Sequence, residues 1–171
     1  LERALKVTNA DIGSIMILEK PKRDKFVIEA CIGLGNFVKK DDRVIFSDSI
    51  AKYAVINKTP LLVEDIETDI RFGRQSRPQY ATKSFICMPL KTINDVIGVL
   101  TISRRTSDVL FTQEDVDVLT PLLSNAAFTY DNLRLLKETE KKSKQLQVME
   151  NITSAINSSL MGSELFQTIL H

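Results

Sequence analysis

The stretch that decides the fold is "SFICMPLKTINDVIGVLTISRR", which runs from Ser84 to Arg105. Its two halves, Ser84–Leu90 and Val96–Ser103, have the β-branched and apolar composition of strands. The polar link "KTIND" joins them as a hairpin. Gly98 within the second strand indicates a bulge or the close approach of a neighbouring backbone. This hairpin predicts a domain that is built around an antiparallel sheet.

Further strands and a short helix are predicted before the hairpin. "IGSIMILEK" and "KFVIEACIG" form two strands across the turn "PKRDK", and alternation places Phe26, Ile28, Ala30 and Ile32 on one side of the second strand. "SIAKYAVINK" follows as a helix and "LLVED" as a short strand. The long irregular stretch "DIETDIRFGRQSRPQYATK" comes next, and loops of this length inside a compact domain are usually functional or disordered.

After the hairpin the apolar period changes from two to 3.6 residues, which predicts a long helix. Thr112 is a suitable N-cap for it, and Glu114 and Asp115 fall in its first turn. The apolar seam is expected to pair with a second copy of the chain, because the pattern runs well beyond an ordinary helix length. Its members are Val116, Leu119, Leu123, Ala126, Tyr130 and Leu133, and after the polar "KETEKKSKQ" it returns at Leu146, Met149, Ile152, Ile156 and Leu160.

Composition limits the function. The chain has 171 residues, 43% of them hydrophobic and 26% charged, with a net charge of +1, which does not favour nucleic-acid or membrane-surface binding. No run reaches the ~18 apolar residues that span a bilayer. The two cysteines, Cys31 and Cys87, fit buried free thiols of an intracellular protein. We therefore expect a cytoplasmic domain without nucleic-acid or membrane contact.

Along the chain, the predicted elements are a helix, two strands, a helix, a strand, a long loop, two strands and a long helix. This order predicts an α+β domain. Four stretches of the chain, taken in that order, resemble a GAF domain. They are "TNADIGSIMIL", "SIAKYAVINKTPLLVEDIETDIRF", the opening hairpin and "FTQEDVDVLTPLLSNAAFTYDNLRLL". The resemblance implies an antiparallel sheet with helices on one face, a loop- and helix-covered pocket on the other, and a long C-terminal signalling helix. The expected units are a GAF domain over 1–136, a helical or coiled-coil linker over 137–160, and the truncated start of a following domain, such as a second GAF domain, over 161–171.

The resemblance also implies a function. Such domains bind a small molecule and pass its state through a dimeric helix to an output domain of a bacterial-type signalling protein. A structural GAF domain that dimerises and relays signals without a ligand is the alternative reading. The ligand and any cofactor stay open, because a fold does not settle them. The expected ligand-binding residues are Asp65, Asp69, Arg71, Phe72, Tyr80, Phe85, Cys87 and Thr101.

An enzyme within this chain is a third reading that the sequence disfavours. GAF-type methionine sulfoxide reductases use several cysteines in the long loops, whereas "DIETDIRFGRQSRPQYATK" has none. We therefore expect no catalytic residues here, and an output domain such as a histidine kinase or a cyclic-di-GMP enzyme elsewhere in the parent protein. The single histidine, His171, and the two cysteines also provide too few ligands for a haem or metal site.

Cyclic-nucleotide-binding members of the family carry Asn-Lys, then Phe, three residues and Asp-Glu. Here Arg104-Arg105 occupies the first pair, Phe111 and Asp115 are retained, and Val116 replaces the Glu. Because three of the five motif residues are changed, the sequence does not favour cyclic-nucleotide binding, and the arginine pair is interpreted as solvated charge at a strand end.

The long irregular stretch carries a second basic pattern. Arg71, Arg74 and Arg77 recur at three-residue spacing and would share one face of a helix, where guanidinium groups suit an anionic ligand. Without a helix the three side chains scatter, and solvent exposure is the more common state of arginine. The anion site therefore depends on the local secondary structure.

Overall fold

The computed structural model describes residues 1–73, 82–93, 95–105 and 109–169, with side chains described as far as residue 157. It confirms the predicted α+β fold around an antiparallel sheet. The elements are α1 Glu2–Val7, β1 Ile12–Leu18, β2 Lys25–Ile32, β3 Arg43–Ile45, a 3₁₀ turn Phe46–Asp48, α2 Ala51–Asn57, β4 Leu61–Val63, β5 Phe85–Lys91, β6 Val96–Ser103 and α3 Gln113–Ile169.

The sheet has six strands in the order β3-β2-β1-β6-β5-β4, and all five neighbouring pairs are antiparallel. The two predicted hairpins, β1–β2 and β5–β6, are confirmed and lie side by side, so β1 and β6 form the centre of the sheet. The edge strands β3 and β4 have only three residues each. Short edges expose few unpaired backbone groups to other chains.

One side of the sheet, which we call the α3 face, is covered by α1 and α3. Its core is apolar from the sheet to the helices, and each fully buried leucine there contributes roughly 1.5–3 kcal/mol to folding. This packing, rather than helix propensity, stabilises the first turns of α3. The core residues are Ala4, Leu5, Ile86, Met88, Leu100, Ile102, Phe111, Val116, Leu119 and Leu123.

The burial of α3 corrects the predicted dimer seam. Val116, Leu119 and Leu123 have exposed fractions of 6%, 0% and 5%, because they pack on their own sheet. They therefore have almost no surface to offer a second copy. Ala126 is exposed, and Leu133 is 55% exposed, so these two stay available for a partner. Tyr130 is partly buried.

The other side of the sheet, which we call the α2 face, is covered by α2 and by the chain around β4. Partly buried side chains surround its core, among them Cys31, Val38, Tyr53, Phe72 and Phe85. The core residues are Met16, Leu18, Phe26, Ile28, Ala51, Ala54, Val55, Leu61, Val63, Ile66, Cys87, Val96 and Val99.

An irregularity in the β1–β2 pairing changes which residues of β2 face each side. Ile15 pairs with Ala30 and Met16 pairs with Ile28, so Glu29 is an extra residue on β2. The predicted alternation is therefore wrong beyond Ile28. Ile32 packs on the α3 face. The same shift turns Cys31 to the α2 face.

The close backbone approach predicted at Gly98 is confirmed. A Cβ atom at this position would lie 2.2 Å from the carbonyl oxygen of Met16 and 3.0 Å from the Cα atom of Ile17, and both of these are backbone atoms. The β5–β6 register also shifts next to this glycine, between Leu90 and Lys91. Glycine lets β1 and β6 pair closely here at the centre of the sheet.

The chain divides into two compact units, Leu1–Thr129 and Tyr130–His171. The division falls within α3, whereas the sequence placed the domain boundary at residue 136. The helix α3 is continuous to Ile169. Over the ranges described, we find no helix with the length and hydropathy needed to cross a membrane.

Candidate functional site

A row of small polar side chains crosses the middle of the α2 face. Register places Cys31 of β2 opposite Ser14 of β1, Ser14 opposite Thr101 of β6, and Thr101 opposite Cys87 of β5. Ser103 lies two residues after Thr101 on the same strand and so on the same side. We call these five residues the polar floor. A row of this kind is unusual at the centre of a sheet, where apolar residues provide the core.

The two thiols of the polar floor are not reactive groups. The Sγ atom of Cys87 lies 3.4 Å from the Oγ1 atom of Thr101, and its residue is 1% exposed. Burial raises the pKa of the Cys87 thiol to about 12, so it stays protonated at neutral pH. Cys31 donates its S–H to the carbonyl oxygen of Val38 at 3.3 Å. Both cysteines are free thiols.

The hydroxyl groups of the polar floor have spare hydrogen-bonding capacity. Ser14 is 4% exposed and Ser103 is 1% exposed. Among the described residues, the fully buried side-chain nitrogen or oxygen without a hydrogen-bond partner is Nε of Arg134, so the two serine hydroxyls are not buried unsatisfied groups. Thr101 is partly exposed although β6 is a central strand. A hydroxyl can both donate and accept, so each of these side chains can make a further hydrogen bond. These groups therefore mark a place where a polar molecule can bind.

Aromatic side chains stand on the same face as the polar floor. The rings of Tyr53 and Phe72 meet edge to face, with centroids 5.0 Å apart and planes at 73°. Phe85 lies two residues before Cys87 on β5 and is partly buried. The Lys52 Nζ atom lies 5.4 Å from the Tyr53 ring centroid, and the Arg71 Cζ atom lies 5.1 Å from the Phe72 ring centroid. The α2 face therefore combines neutral hydrogen-bonding groups with aromatic surface.

A turn that begins at Asp65 brings Phe72 to this face. Asp65 accepts a hydrogen bond from the backbone N–H of Glu67 on its Oδ1 atom at 2.8 Å, and its carbonyl oxygen accepts one from the N–H of Asp69 at 3.0 Å. Arg71 donates from Nε to both carboxylate oxygens of Asp69, at 2.9 and 3.1 Å. Its Nη2 donates to the carbonyl oxygen of Leu62 at 3.0 Å. Arg71 thus fastens the turn to the edge strand β4.

The ion pair in this turn changes the titration of both partners. The hydrogen bond from Arg71 lowers the pKa of the Asp69 carboxyl, and the same bond raises the pKa of the Arg71 guanidinium. Both groups therefore stay charged over the physiological range. Their charges are directed at each other, so neither is available in full to a ligand.

The structure separates the predicted ligand-binding residues into two groups. Phe72, Phe85, Cys87 and Thr101 lie on the α2 face, while Asp65, Asp69 and Arg71 hold the turn. Tyr80 lies outside the described residues, as do Arg74 and Arg77 of the predicted anion site.

Sequence reasoning missed three members of the polar floor. Ser14 and Ser103 were read as ordinary strand positions, and Cys31 was read as a buried thiol only. The available signal was the alternation of small polar residues with apolar ones, in Thr101 and Ser103 of "VLTIS" above all.

The arginine pair after β6 is not solvated as a pair. Arg104 is 8% exposed and makes five hydrogen bonds: two to the carbonyl oxygen of Thr8, one each to those of Val109 and Leu110, and one to Oδ1 of Asp115. The predicted solvation is therefore wrong for Arg104. Its planar fork of donors matches these carbonyl groups, which explains the burial of a charge.

Arg104 also contacts the two retained motif residues. Its Cζ atom lies 4.1 Å from the centroid of the Phe111 ring, and its Nη2 lies 2.8 Å from the carboxylate of Asp115. Together with the hydrogen bonds to Thr8 at the end of α1, these contacts join α1, β6 and the start of α3. Arg105 is exposed and donates from Nη2 to the carbonyl oxygen of Gly33 at 2.7 Å. The motif residues present here therefore hold the fold together on the side away from the polar floor.

The arrangement favours binding over covalent chemistry. Across the described ranges, no group of three or more His, Cys, Asp or Glu side chains is placed to hold a metal ion. Cys31 and Cys87 stand three strand spacings apart, roughly 14 Å, which is too far for a disulfide. What the polar floor provides is hydrogen bonding to a neutral group.

Comparison with known proteins identifies the fold. A family model described as a GAF domain matches residues 1–131. The chain belongs to the GAF domain family. GAF domains are typically sensory or regulatory parts of signalling proteins.

Individual relatives agree with this assignment. A probable 3′,5′-cyclic phosphodiesterase of Caenorhabditis elegans is 24% identical over 168 residues, which cover 89% of this chain and 23% of that protein. This GAF chain thus spans less than a quarter of that relative.

Two solved structures share the fold. The GAF domain of an Acinetobacter phosphoenolpyruvate-protein phosphotransferase has a TM-score of 0.67 at 15% identity, with 80% of each chain covered. A methyl-accepting chemotaxis protein has a TM-score of 0.68 at 19% identity, with 80% of this chain and 87% of that one covered. At these identities the likeness concerns the GAF fold alone.

Proposed function

We propose that this GAF domain is a cytoplasmic sensor that binds a small molecule on its α2 face, over the polar floor. The observation that carries the proposal is the row of small polar side chains across the centre of the sheet, where Ser14 lies opposite a partly exposed Thr101. A domain that only needed a core would place apolar residues there, because burying apolar side chains stabilises the fold more than burying hydroxyl groups does.

We further propose that α3 passes the bound state to an output domain as part of a homodimer. The apolar side chains Leu133, Leu136, Leu146, Met149, Ile152 and Ile156 are each more than half exposed. Isolated helices of ordinary sequence are marginally stable in water, and pairing two copies would bury these side chains. In this proposal catalysis belongs to another domain of the parent protein, and this chain acts as its regulator.

Native mass spectrometry of the purified chain tests the sensor. We expect a mass excess on the folded chain that disappears on denaturation, and a smaller occupied fraction in the Thr101→Val variant. Ser124→Ala is the matched control, since Ser124 is an exposed hydroxyl on α3. A clean unliganded chain, together with no thermal shift from a broad metabolite set, would instead support a ligand-free relay domain.

Sedimentation equilibrium tests the relay. The double variant Met149→Lys and Ile156→Lys should be a monomer where the parent chain is a dimer, because each lysine would have to be buried in the helix pair. Gln147→Lys adds a charge on an exposed polar residue of the same helix and should leave the mass unchanged. An unchanged dimer in the double variant would contradict pairing through this part of α3.

A relay domain without a ligand is the second candidate, and one observation favours it. Phe26, Val63, Cys87 and Val99 of the α2 face are each at most 1% exposed, so much of this face is filled by its own side chains. The occupied fraction in the mass spectrum decides between the two candidates.

A further inference from the structure

The chemistry of the α2 face restricts the class of ligand. All thirteen side chains of its buried core are uncharged, and so are the five residues of the polar floor. An anion bound against the floor would lose its hydration without gaining an opposite charge, which costs several kcal/mol. An uncharged ligand would exchange its hydrogen bonds to water for bonds to hydroxyl groups at much lower cost.

The cationic groups nearest this face are already engaged. Arg71 is bound to Asp69 and to the edge strand. Lys52 donates to the carbonyl oxygen of Ser47 and lies 5.4 Å from the centroid of the Tyr53 ring. Arg104 makes its hydrogen bonds on the other face, at the end of α1 and before and in the first turn of α3. Among the described residues near the polar floor, none of these cations is available to neutralise a ligand phosphate or carboxylate.

The positions of the hydroxyl groups suggest which hydrogen-bonding groups the ligand carries. Ser14 and Thr101 stand directly opposite each other on β1 and β6, so their Cβ atoms are roughly 5 Å apart. A hydroxyl can both donate and accept, and the Thr101 hydroxyl already contacts the Cys87 thiol. Two such groups side by side match a ligand edge that has a donor next to an acceptor, as an amide or a cyclic amide has.

The aromatic side chains suggest the remainder of the ligand. The Tyr53 and Phe72 rings on the same face favour a planar group over a flexible aliphatic one. We infer that the ligand is a small uncharged aromatic compound that directs an amide or cyclic-amide edge at Ser14 and Thr101. This inference rests on the proposed sensor function and narrows it to one chemical class.

Two matched pairs of small molecules test whether the ligand is uncharged, and the measurements use the intact chain. Nicotinamide and nicotinate share a ring and differ in charge, and inosine and inosine 5′-monophosphate do the same for a larger ring with a cyclic amide. Binding is measured by saturation-transfer NMR and calorimetric titration. We expect the uncharged member of each pair to bind at least about tenfold more tightly, as an unpaired buried charge requires.

Variants locate the binding. Ser14→Ala and Thr101→Val should each weaken binding of nicotinamide and inosine roughly three- to tenfold, the effect of one lost hydrogen bond. The controls are Ser124→Ala and Thr129→Val, which remove the same groups from the exposed surface of α3 and should change nothing.

Each of the remaining outcomes contradicts a specific part of the proposal. If the anionic probes bind as tightly as the uncharged ones and Thr101→Val weakens them, the ligand class is wrong and the sensor function stands. If the uncharged probes bind but both floor variants bind them equally well, the assignment to Ser14 and Thr101 is wrong. If no probe binds and no ligand co-purifies with the chain, the sensor function fails together with the class.

Discussion

The two faces of the sheet use the same strands for different purposes. On the α3 face, apolar side chains meet apolar helices, and the one buried charge within the described ranges, Arg104, makes five hydrogen bonds. On the α2 face, Ser14 and Ser103 are buried polar residues, and Thr101 between them in the polar floor is partly exposed. The contrast is between an apolar core on one face and, on the other face, a core that includes the polar floor for which we propose ligand binding.

The largest effect is expected from a substitution on the α3 face. Leu119→Ala should lower the free energy of unfolding by about 2–5 kcal/mol, because Leu119 is fully buried and its truncation leaves a cavity. Urea denaturation followed by circular dichroism measures the change. Val118→Ala, at a neighbouring position that is 50% exposed, should change the free energy by less than about 0.5 kcal/mol. Equal effects would mean that α3 does not pack on the sheet through Leu119.

The next largest loss in the free energy of unfolding is expected at Arg104, and it should differ from the loss at its neighbour Arg105. Arg104→Lys keeps the charge but replaces a planar fork by a point donor, so we expect a loss of roughly 2–4 kcal/mol in the free energy of unfolding. Arg105→Lys, on an exposed neighbour, should lose less than about 1 kcal/mol. Thermal and urea unfolding of both variants provide the comparison. A tolerated Arg104→Lys would show that charge alone is needed at this position.

A smaller effect is expected at the buried thiol of the α2 face. Cys87→Ala should keep the fold and lose roughly 1–2 kcal/mol, a cavity-type cost. Urea denaturation at pH 7 measures this loss. A variant as stable as the parent chain would mean that the thiol fills no space in the core.

The titration of Cys87 gives a second readout at alkaline pH. The folded-state pKa of about 12 lies above the ordinary value of 9.0, so the protonated thiol contributes stability below pH 9. This contribution is lost as the pH rises from 9 towards 12. The parent chain should therefore lose more stability than Cys87→Ala over this range. Identical pH profiles would contradict the burial of the thiol.

Local features of the fold could be predicted from the sequence. The β5–β6 hairpin, the close approach at Gly98 and the long helix after Thr112 depend on residues near each other in the chain. Composition, period and capping therefore report them directly. The order of these elements was enough to indicate the fold family.

Features that depend on distant partners could not be predicted. The alternation in β2 failed at Ala30 because the irregularity arises from pairing with Ile15 on another strand. The period of α3 showed that Leu119 and Leu123 must be buried, but a period does not say whether the partner is the chain's own sheet or a second copy. Arg104 was misread for the same reason, since Thr8 and Asp115 reach it only in the folded chain.

The candidate site was predictable only in part. Thr101 and Cys87 were chosen because they lie in the recognised hairpin, whereas Ser14 joins them only through the β1–β6 register. Charged residues of the long loop attracted attention as ligands, yet Asp69 and Arg71 satisfy each other. Side chains that build a turn and side chains that bind a ligand have the same composition, so sequence alone does not separate them.

The smallest expected change in the free energy of unfolding is an increase, and it tests the contrast between the two faces most directly. Ser14→Ala should raise the free energy of unfolding of the unliganded chain by roughly 0.5–1 kcal/mol, because it replaces a hydroxyl group on a residue that is 4% exposed by an apolar side chain. Thr120→Val, which removes a hydroxyl that donates to the carbonyl oxygen of Val116 at 2.7 Å, is the control and should not stabilise the chain. Urea denaturation at neutral pH, after exhaustive dialysis, measures both variants. A stabilised Ser14→Ala that also loses its ligand would mean that this residue is retained for binding at the expense of folding. A destabilised one would mean that the hydroxyl is satisfied within the folded chain, and the α2 face would then be a core like the other.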